Sequence, residues 1–206
     1  MIRVLAFGDS ITYGIGDSAG NGWAGILQRE FSLRGQRLYN LGIPGDTSAD
    51  VLRRFGQESR ARLCRAAPED RICVIFGVGA NDAKGIGRPD NQLVKLPAFR
   101  KNLARLAALA KAVARDVVFV GLIPVDESKP MPLDGEHYFT NAAFERYNSA
   151  LREHCRKEGA AFVDMFGGWR SRKYRKLLSD GLHPNSRGHA LMAGSIRECL
   201  KGLGLC

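Results

Sequence analysis

The chain lacks any apolar run approaching the roughly 18–20 residues that a bilayer-crossing helix requires, so no membrane span is expected. Its five cysteines, Cys64, Cys73, Cys155, Cys199 and Cys206, are odd in number and form no C-x-x-C pair. A disulfide framework and a zinc site are both disfavoured by that spacing, and a reducing compartment is expected. Neither G-x-x-x-x-G-K-[ST] nor H-E-x-x-H occurs, so nucleotide hydrolysis and zinc proteolysis have no motif behind them. The opening run Ile2 to Phe7 follows Met1 directly, carries one basic residue and leads into a polar loop, unlike a secretory leader. The expected location is the cytoplasm.

Charge of one sign is in excess. A formal net charge of +10 and a pI near 9.7 could attract nucleic acid, anionic lipid or acidic substrates. The basic residues are scattered, however, and their densest cluster, Arg170, Arg172, Lys173, Arg175 and Lys176, reads as the solvated face of a short polar helix. With no recognised nucleic-acid motif, no specific nucleic-acid partner is expected.

The 206 residues suffice for one core, and no linker, repeat or low-complexity segment divides them, so a single domain over 1–206 is expected. Ile2 to Phe7, Arg37 to Leu41, Ile72 to Phe76, Val117 to Leu122 and Ala161 to Met165 are short β-branched or aromatic-rich runs, read as five strands. Between them apolar residues repeat at helical spacing: Trp23, Ile26, Leu27 and Phe31; Phe99, Leu103, Leu106, Ala110 and Val113; Phe144, Tyr147, Leu151 and Cys155. A last helix is expected from about Gly188 to Leu200. Strands alternating with helices imply right-handed crossovers and a parallel sheet covered on both faces, an α/β protein of three layers, α/β/α. The loops that follow the strands then meet at one edge, where such sheets bind ligands. Two of them, Lys84 to Pro97 and Pro124 to Tyr138, are unusually long.

Four short motifs fall on that edge. Gly8-Asp9-Ser10 closes the first strand and can project a hydroxyl, which becomes a nucleophile only beside a base. Near the other end, Asp180-Gly181-Leu182-His183-Pro184 places an acid three residues before a histidine, so one turn can aim the carboxylate at Nδ1 and leave Nε2 for the serine. Donors for an oxyanion, each worth ~2.7–4 kcal/mol of barrier, can come from the Ser10 N–H, from Gly45 in Pro44-Gly45-Asp46, and from Asn81 in Gly79-Ala80-Asn81-Asp82. Each motif also has a plain structural reading. Ser10, Asp180 or Asn185 could cap a helix, Gly45 could serve a turn, and Asn81 with Asp82 could cap the segment after it.

Taken together, Gly8-Asp9-Ser10, Gly45, Gly79-x-Asn81-Asp82 and Asp180-x-x-His183 resemble, in order and separation, the four sequence blocks of the SGNH (GDSL-type) hydrolase family. The first block reads Ile11 where the family name implies Leu. The resemblance implies a flavodoxin-like sheet, a catalytic Ser10, Asp180 and His183, an oxyanion hole of Ser10, Gly45 and Asn81, no metal or organic cofactor, and a small-molecule ester as partner. The activity so implied is hydrolysis of carboxylic esters or thioesters through an acyl-enzyme on Ser10. Short acyl, aryl or acetyl esters are favoured, with lysophospholipase, thioesterase and carbohydrate acetylesterase activities as alternatives. A non-catalytic ligand-binding module on the same fold is the rival of another class.

The remaining residues carry less. Gly14-Ile15-Gly16 with Gly20 falls one position off a dinucleotide loop. His137 lies in the second long loop, His154 on a polar helix face and His189 at the start of the last helix. Asp9 and Asp82 are expected to brace loops, and Trp23 to be core. Leu93, Val94, Leu96, Met131, Leu133 and Phe139 suggest a partly apolar pocket formed by the long loops. The sequence leaves the oligomeric state open.

Overall fold

Strand β1 (Ile2–Gly8) shows how the sheet is covered. Val4 and Ala6 face one layer of helices while Leu5 and Phe7 face the other, and all four are fully buried. A strand apolar on both pleat faces needs cover on both sides, which parallel crossovers supply. In the computed structural model, which describes residues 1–129, 135–170 and 173–206, β1 lies between β2 (Arg37–Gly42) and β3 (Arg71–Gly77). β5 (Asp116–Val120) and β7 (Ala161–Val163) complete a parallel sheet of order β2-β1-β3-β5-β7.

One face carries Leu5, Phe7, Val74, Phe76 and Phe119 under α3 (Ser48–Leu63), α4 (Leu96–Lys111) and α5 (Asn141–Glu158). The other carries Val4, Ala6, Cys73, Ile75 and Val118 under α2 (Gly22–Leu33) and α7 (Ser186–Gly202), with Trp169 of the short α6 (Phe166–Arg170) beside them. The five strands and the three-layer order follow the expectation, with the fourth and fifth strands each ending two residues before their apolar runs do. Gly121 and Leu122 leave the ladder there, and Asn148 Oδ1 accepts the Leu122 N–H at 3.0 Å.

Helix α3 is the long helix that the apolar periodicity does not reveal. Its buried stripe runs Val51, Phe55 and then Ser59 among four arginines, so the apolar signal is thin. The legible signal was at its start. Thr47 caps the helix by accepting from the Asp50 N–H, while Asp50 returns a carboxylate to the Thr47 N–H, a capping box. Val113 lies beyond the end of α4 and is exposed.

The two long loops are tied together by an antiparallel pair, β4 (Gly85–Ile86) with β6 (His137–Tyr138). Their apolar residues mostly turn inward: Val94 and Leu96 pack on the core, and Phe139 is buried edge-on against Phe144. Leu93 stays exposed, and Met131 and Leu133 lie outside the described residues. The expected apolar pocket is therefore largely core at its described positions. The basic cluster is not one solvated helix face either. Arg170 ends α6, pairs with Glu145 and lies over Phe166, while Arg175 sits in a 3₁₀ turn, Tyr174–Leu177, and pairs with Asp126; Arg172 lies outside the described residues.

Phe76 is the centre of an aromatic row, 6.1 Å from Phe7, 5.8 Å from Phe55 and 5.1 Å from Phe119 by ring centroids. Phe76→Ala leaves a cavity that these rings cannot close, and is expected to cost about 3–5 kcal/mol. Urea unfolding checks this: the midpoint falls while the slope is retained.

Candidate active site

β1 ends on Gly8, and only glycine fits there. A Cβ would stand 2.1 Å from Thr12 Oγ1 and 2.6 Å from the Gly77 carbonyl. The chain then turns at once into α1 (Ser10–Tyr13), whose N-cap Asp9 accepts the Ile11 N–H at 2.9 Å. Ser10 is thus the first residue of a one-turn helix standing on the sheet edge, with its own N–H among those a helix start leaves unpaired. Asp9 is buried beneath it, and burial pushes its carboxyl up to about 7.

The loop from Ser179 to Asn185 comes to meet this turn. His183 Nε2 lies 2.9 Å from Ser10 Oγ, and His183 Nδ1 lies 2.6 Å from Asp180 Oδ2. The other carboxylate oxygen, Asp180 Oδ1, accepts the N–H groups of Leu182 and His183 at 2.9 and 2.7 Å. Partial burial alone would raise the Asp180 carboxyl, but the imidazole hydrogen bond and these two amides hold it well below the usual carboxylate range. An acceptor-only carboxylate accepts a hydrogen bond from Nδ1–H, which keeps the proton on Nδ1 and leaves Nε2 with a lone pair facing the hydroxyl. Gly181, at φ +99°, permits the fold-back, and its carbonyl accepts the Asp126 N–H at 2.8 Å. Asn185, and not Asp180, caps the last helix, accepting the Gly188 N–H at 3.1 Å.

On the β2 side, Gly45 takes φ +88° with open space where a Cβ would point, so its backbone conformation and not crowding calls for glycine. Asn81, in the turn after β3, donates one amide hydrogen to the Asp46 carbonyl at 3.0 Å and keeps the other available. A second rung lies directly beside it. Asp82 accepts from the Ser48 N–H with both oxygens, at 2.9 and 3.1 Å, and from the Ser48 hydroxyl, which also accepts Asn102 Nδ2 at 2.9 Å. Burial pushes the Asp82 carboxyl up to about 6. Asn81 and Asp82 together fasten the β3 loop to the loop that carries Gly45.

Arg54, which the sequence reading did not single out, completes this frame from α3. Its Nε holds Asp46 Oδ2 at 2.7 Å and its Nη2 holds the carbonyls of Leu41 and Gly8 at 2.7 and 3.2 Å, over the Phe7 ring. No local pattern marks it, because its partners lie on β1, on β2 and in the loop that follows β2. His189 does more than begin the last helix. It is fully buried, its Nε2 bonded to the Ile15 carbonyl at 2.9 Å and its Nδ1 accepting the Trp23 N–H at 3.2 Å, so it pins the segment that follows Ser10. Burial holds its pKa below the ordinary histidine value.

The other candidates stay structural. His154 meets the Phe119 ring edge-on at 5.5 Å, half-buried instead of on a polar face, and His137 pairs with Ile86 in the small sheet. Trp23 is core. In the Gly14–Gly20 turn, Asp17 takes the N–H groups of Asn21 and Gly22 at 3.2 and 2.9 Å, filling the start of α2 where a phosphate would sit. Gly16-Asp17-Ser18-Ala19-Gly20 spells G-x-S-x-G, yet Ser18 sits in this exposed turn and its hydroxyl pairs with Ser186 at 2.9 Å. All five cysteines are free thiols, and among the described residues no helix is long and apolar enough to cross a membrane.

An arrangement of hydroxyl, imidazole and carboxylate beside N–H donors is suited to acyl transfer, and comparison with known proteins agrees. Residues 6–191 match the GDSL-like Lipase/Acylhydrolase family. Esterase TesA of Pseudomonas aeruginosa is 28% identical over 204 residues, covering 97% of this chain and 88% of that one. Among solved structures, a lipase/acylhydrolase from Enterococcus faecalis superposes with a TM-score of 0.76 at 22% identity, covering 98% of this chain and 96% of the other. An acetylxylan esterase from Geobacillus stearothermophilus gives 0.72 at 19%, covering 96% and 93%. The chain belongs to the GDSL-like lipase/acylhydrolase family and is an ester-cleaving hydrolase.

Proposed function

We propose that Ser10 attacks the ester carbonyl, that His183 takes the hydroxyl proton and returns it to the leaving oxygen, and that Asp180 fixes the imidazole tautomer. Water, activated by the same imidazole, then releases the acid from the acyl-enzyme. The tetrahedral oxyanion is held by the N–H groups of Ser10 and Gly45 and by the free amide hydrogen of Asn81. The observation that carries this reading is the continuous hydrogen-bonded row Asp180, His183, Ser10, at 2.6 and 2.9 Å, assembled from opposite ends of the chain. The same row speaks against a non-catalytic binding module, which needs no aligned base.

Short acyl, aryl or acetyl esters are the substrate class we favour, because the long loops spend most of their described apolar residues on the core. Likeness to an acetylxylan esterase keeps carbohydrate acetyl esters in view, and membership of the lipase/acylhydrolase family keeps thioesters and lysophospholipids in view. Five unpaired thiols suit a cytoplasmic, reducing setting.

With 4-nitrophenyl acetate, Ser10→Ala and His183→Ala are expected to lower kcat/KM by ~10³-fold or more, and Asp180→Asn by a comparable factor through the wrong tautomer. Equal turnover by wild type and all three variants would sink the reading. Asp9 supplies a pH signature. Because burial raises its folded pKa to about 7, above the unfolded value of ~3.9, folding loses stability as pH rises from about 4 to about 7 and the loss is complete above that window. Asp9→Asn, which keeps a capping oxygen without the charge, is expected to gain stability relative to wild type across this interval, by on the order of 3 kcal/mol at pH 8. Urea titrations at pH 4 and pH 8 check the sign.

A further inference from the structure

We propose that Tyr13, Ile15 and Ile43 form an apolar shelf that receives the leaving group of the ester, the alcohol or thiol, so that the enzyme selects short acyl groups carried on apolar alcohols. This rests on Ser10 being the nucleophile and adds what that reading leaves open. Large apolar side chains in this chain are overwhelmingly buried, yet Tyr13 is 56%, Ile43 43% and Ile15 36% exposed, all on the edge that carries Ser10. Leu33, Leu109, Val113 and Met1 are also exposed, but they lie at helix ends and the strand start, away from it.

The three residues are held together by backbone. Tyr13 stands three residues after Ser10 on the single turn of α1, a spacing that shares one helix side. The end of β2 presses directly on that turn. A Cβ on Gly42 would lie 2.2 Å from the Tyr13 nitrogen, so Ile43, the next residue, is carried alongside Tyr13. Asn40 Nδ2 ties the Tyr13 carbonyl at 3.2 Å, and the Ile43 N–H donates to the Gly8 carbonyl at 3.0 Å. Ile15 reaches the other side. Its N–H donates to the Ser10 carbonyl at 2.9 Å, and its neighbour Gly16 abuts the base, since a Cβ there would lie 3.2 Å from His183 Cβ and 2.2 Å from the Pro184 carbonyl.

That position assigns the shelf to the departing group. The imidazole must deliver its proton to the leaving oxygen, so the alcohol passes on the His183 side of Ser10, where Ile15 stands, and continues over Tyr13 and Ile43. The loops after β3 and β5, across the site, offer the acyl chain much less. Of their apolar residues within the described structure, Val94, Leu96 and Phe139 are packed inward and Leu93 alone is widely exposed.

Two ester series separate the two sides of the site: ethyl, butyl and hexyl acetate vary the alcohol at nearly constant leaving-group acidity, and ethyl acetate, butyrate and hexanoate vary the acyl chain. In pH-stat assays wild type is expected to prefer hexyl over ethyl acetate by about tenfold or more in kcat/KM, which corresponds to about 1.4 kcal/mol. In Tyr13→Ser/Ile43→Ser that ratio falls about tenfold, chiefly through KM, while the hexanoate-to-acetate ratio moves less than about twofold. Tyr13→Phe keeps the wild-type ratio, because the ring and not its hydroxyl makes the contact. An unchanged alcohol ratio in the double variant, or a change confined to the acyl series, overturns the shelf. So does a shift of that variant from dimer to monomer in sedimentation with selectivity intact, which would make the patch a contact between copies. Retained turnover in Ser10→Ala would instead strike the nucleophile assignment, a separate failure.

Discussion

The hydrogen bond from the Ser10 hydroxyl to His183 Nε2, 2.9 Å long across 173 residues of chain, is the contact on which the functional architecture depends. It exists because the first strand runs through the middle of the sheet and ends in a glycine so crowded that the next residues must turn immediately. It exists equally because the chain returns, after four more strands of the main sheet, with a loop stiffened on every side. Gly181 is bonded to Asp126, Ser179 to the His183 carbonyl, and Asn185 holds both the start of α7 and the Lys176 carbonyl. A histidine on an unsupported loop would lose much of its value, since a misplacement of about 1 Å can cost 10²-fold in rate.

The loops that carry Gly45 and Asn81 are fixed by a different device. Three parallel strands, β2, β1 and β3, end in register at Gly42, Gly8 and Gly77, so their loops start side by side. Polar groups then lock those loops to one another: Asn81 to the Asp46 carbonyl, Asp82 to Ser48, and Arg54 to Asp46, Leu41 and Gly8. Buried polar groups are costly unless satisfied, and here they are satisfied by each other across segment boundaries. Satisfaction of that kind resists any sliding of one loop past the next. The price is visible in the raised carboxyls of Asp9 and Asp82, both forced up by burial next to the site.

Much of this was legible in the sequence for identifiable reasons. The strands read correctly because a doubly covered parallel strand is a short unbroken apolar run, and most helices because their buried stripes are apolar. Helix α3 escaped because its stripe passes from Phe55 to Ser59 among arginines, although Thr47 and Asp50 marked its start. The apolar residues of the long loops were misassigned to a pocket for the complementary reason: apolar character at Val94, Leu96 and Phe139 says that a side chain leaves water, not whether it meets substrate or core.

By itself the sequence determined the alternation of strand and helix, the four motifs, and the pairing of Asp180 with His183, because each of these depends on residues within a turn or two of one another. Only the tertiary structure decided that the imidazole reaches Ser10, that Arg54 and His189 secure the segments around it, and that the end of β2 presses on the turn that carries Tyr13. Those facts depend on which distant segments come into contact, and such contacts are set by the packing of both faces of the sheet together, which no local pattern records.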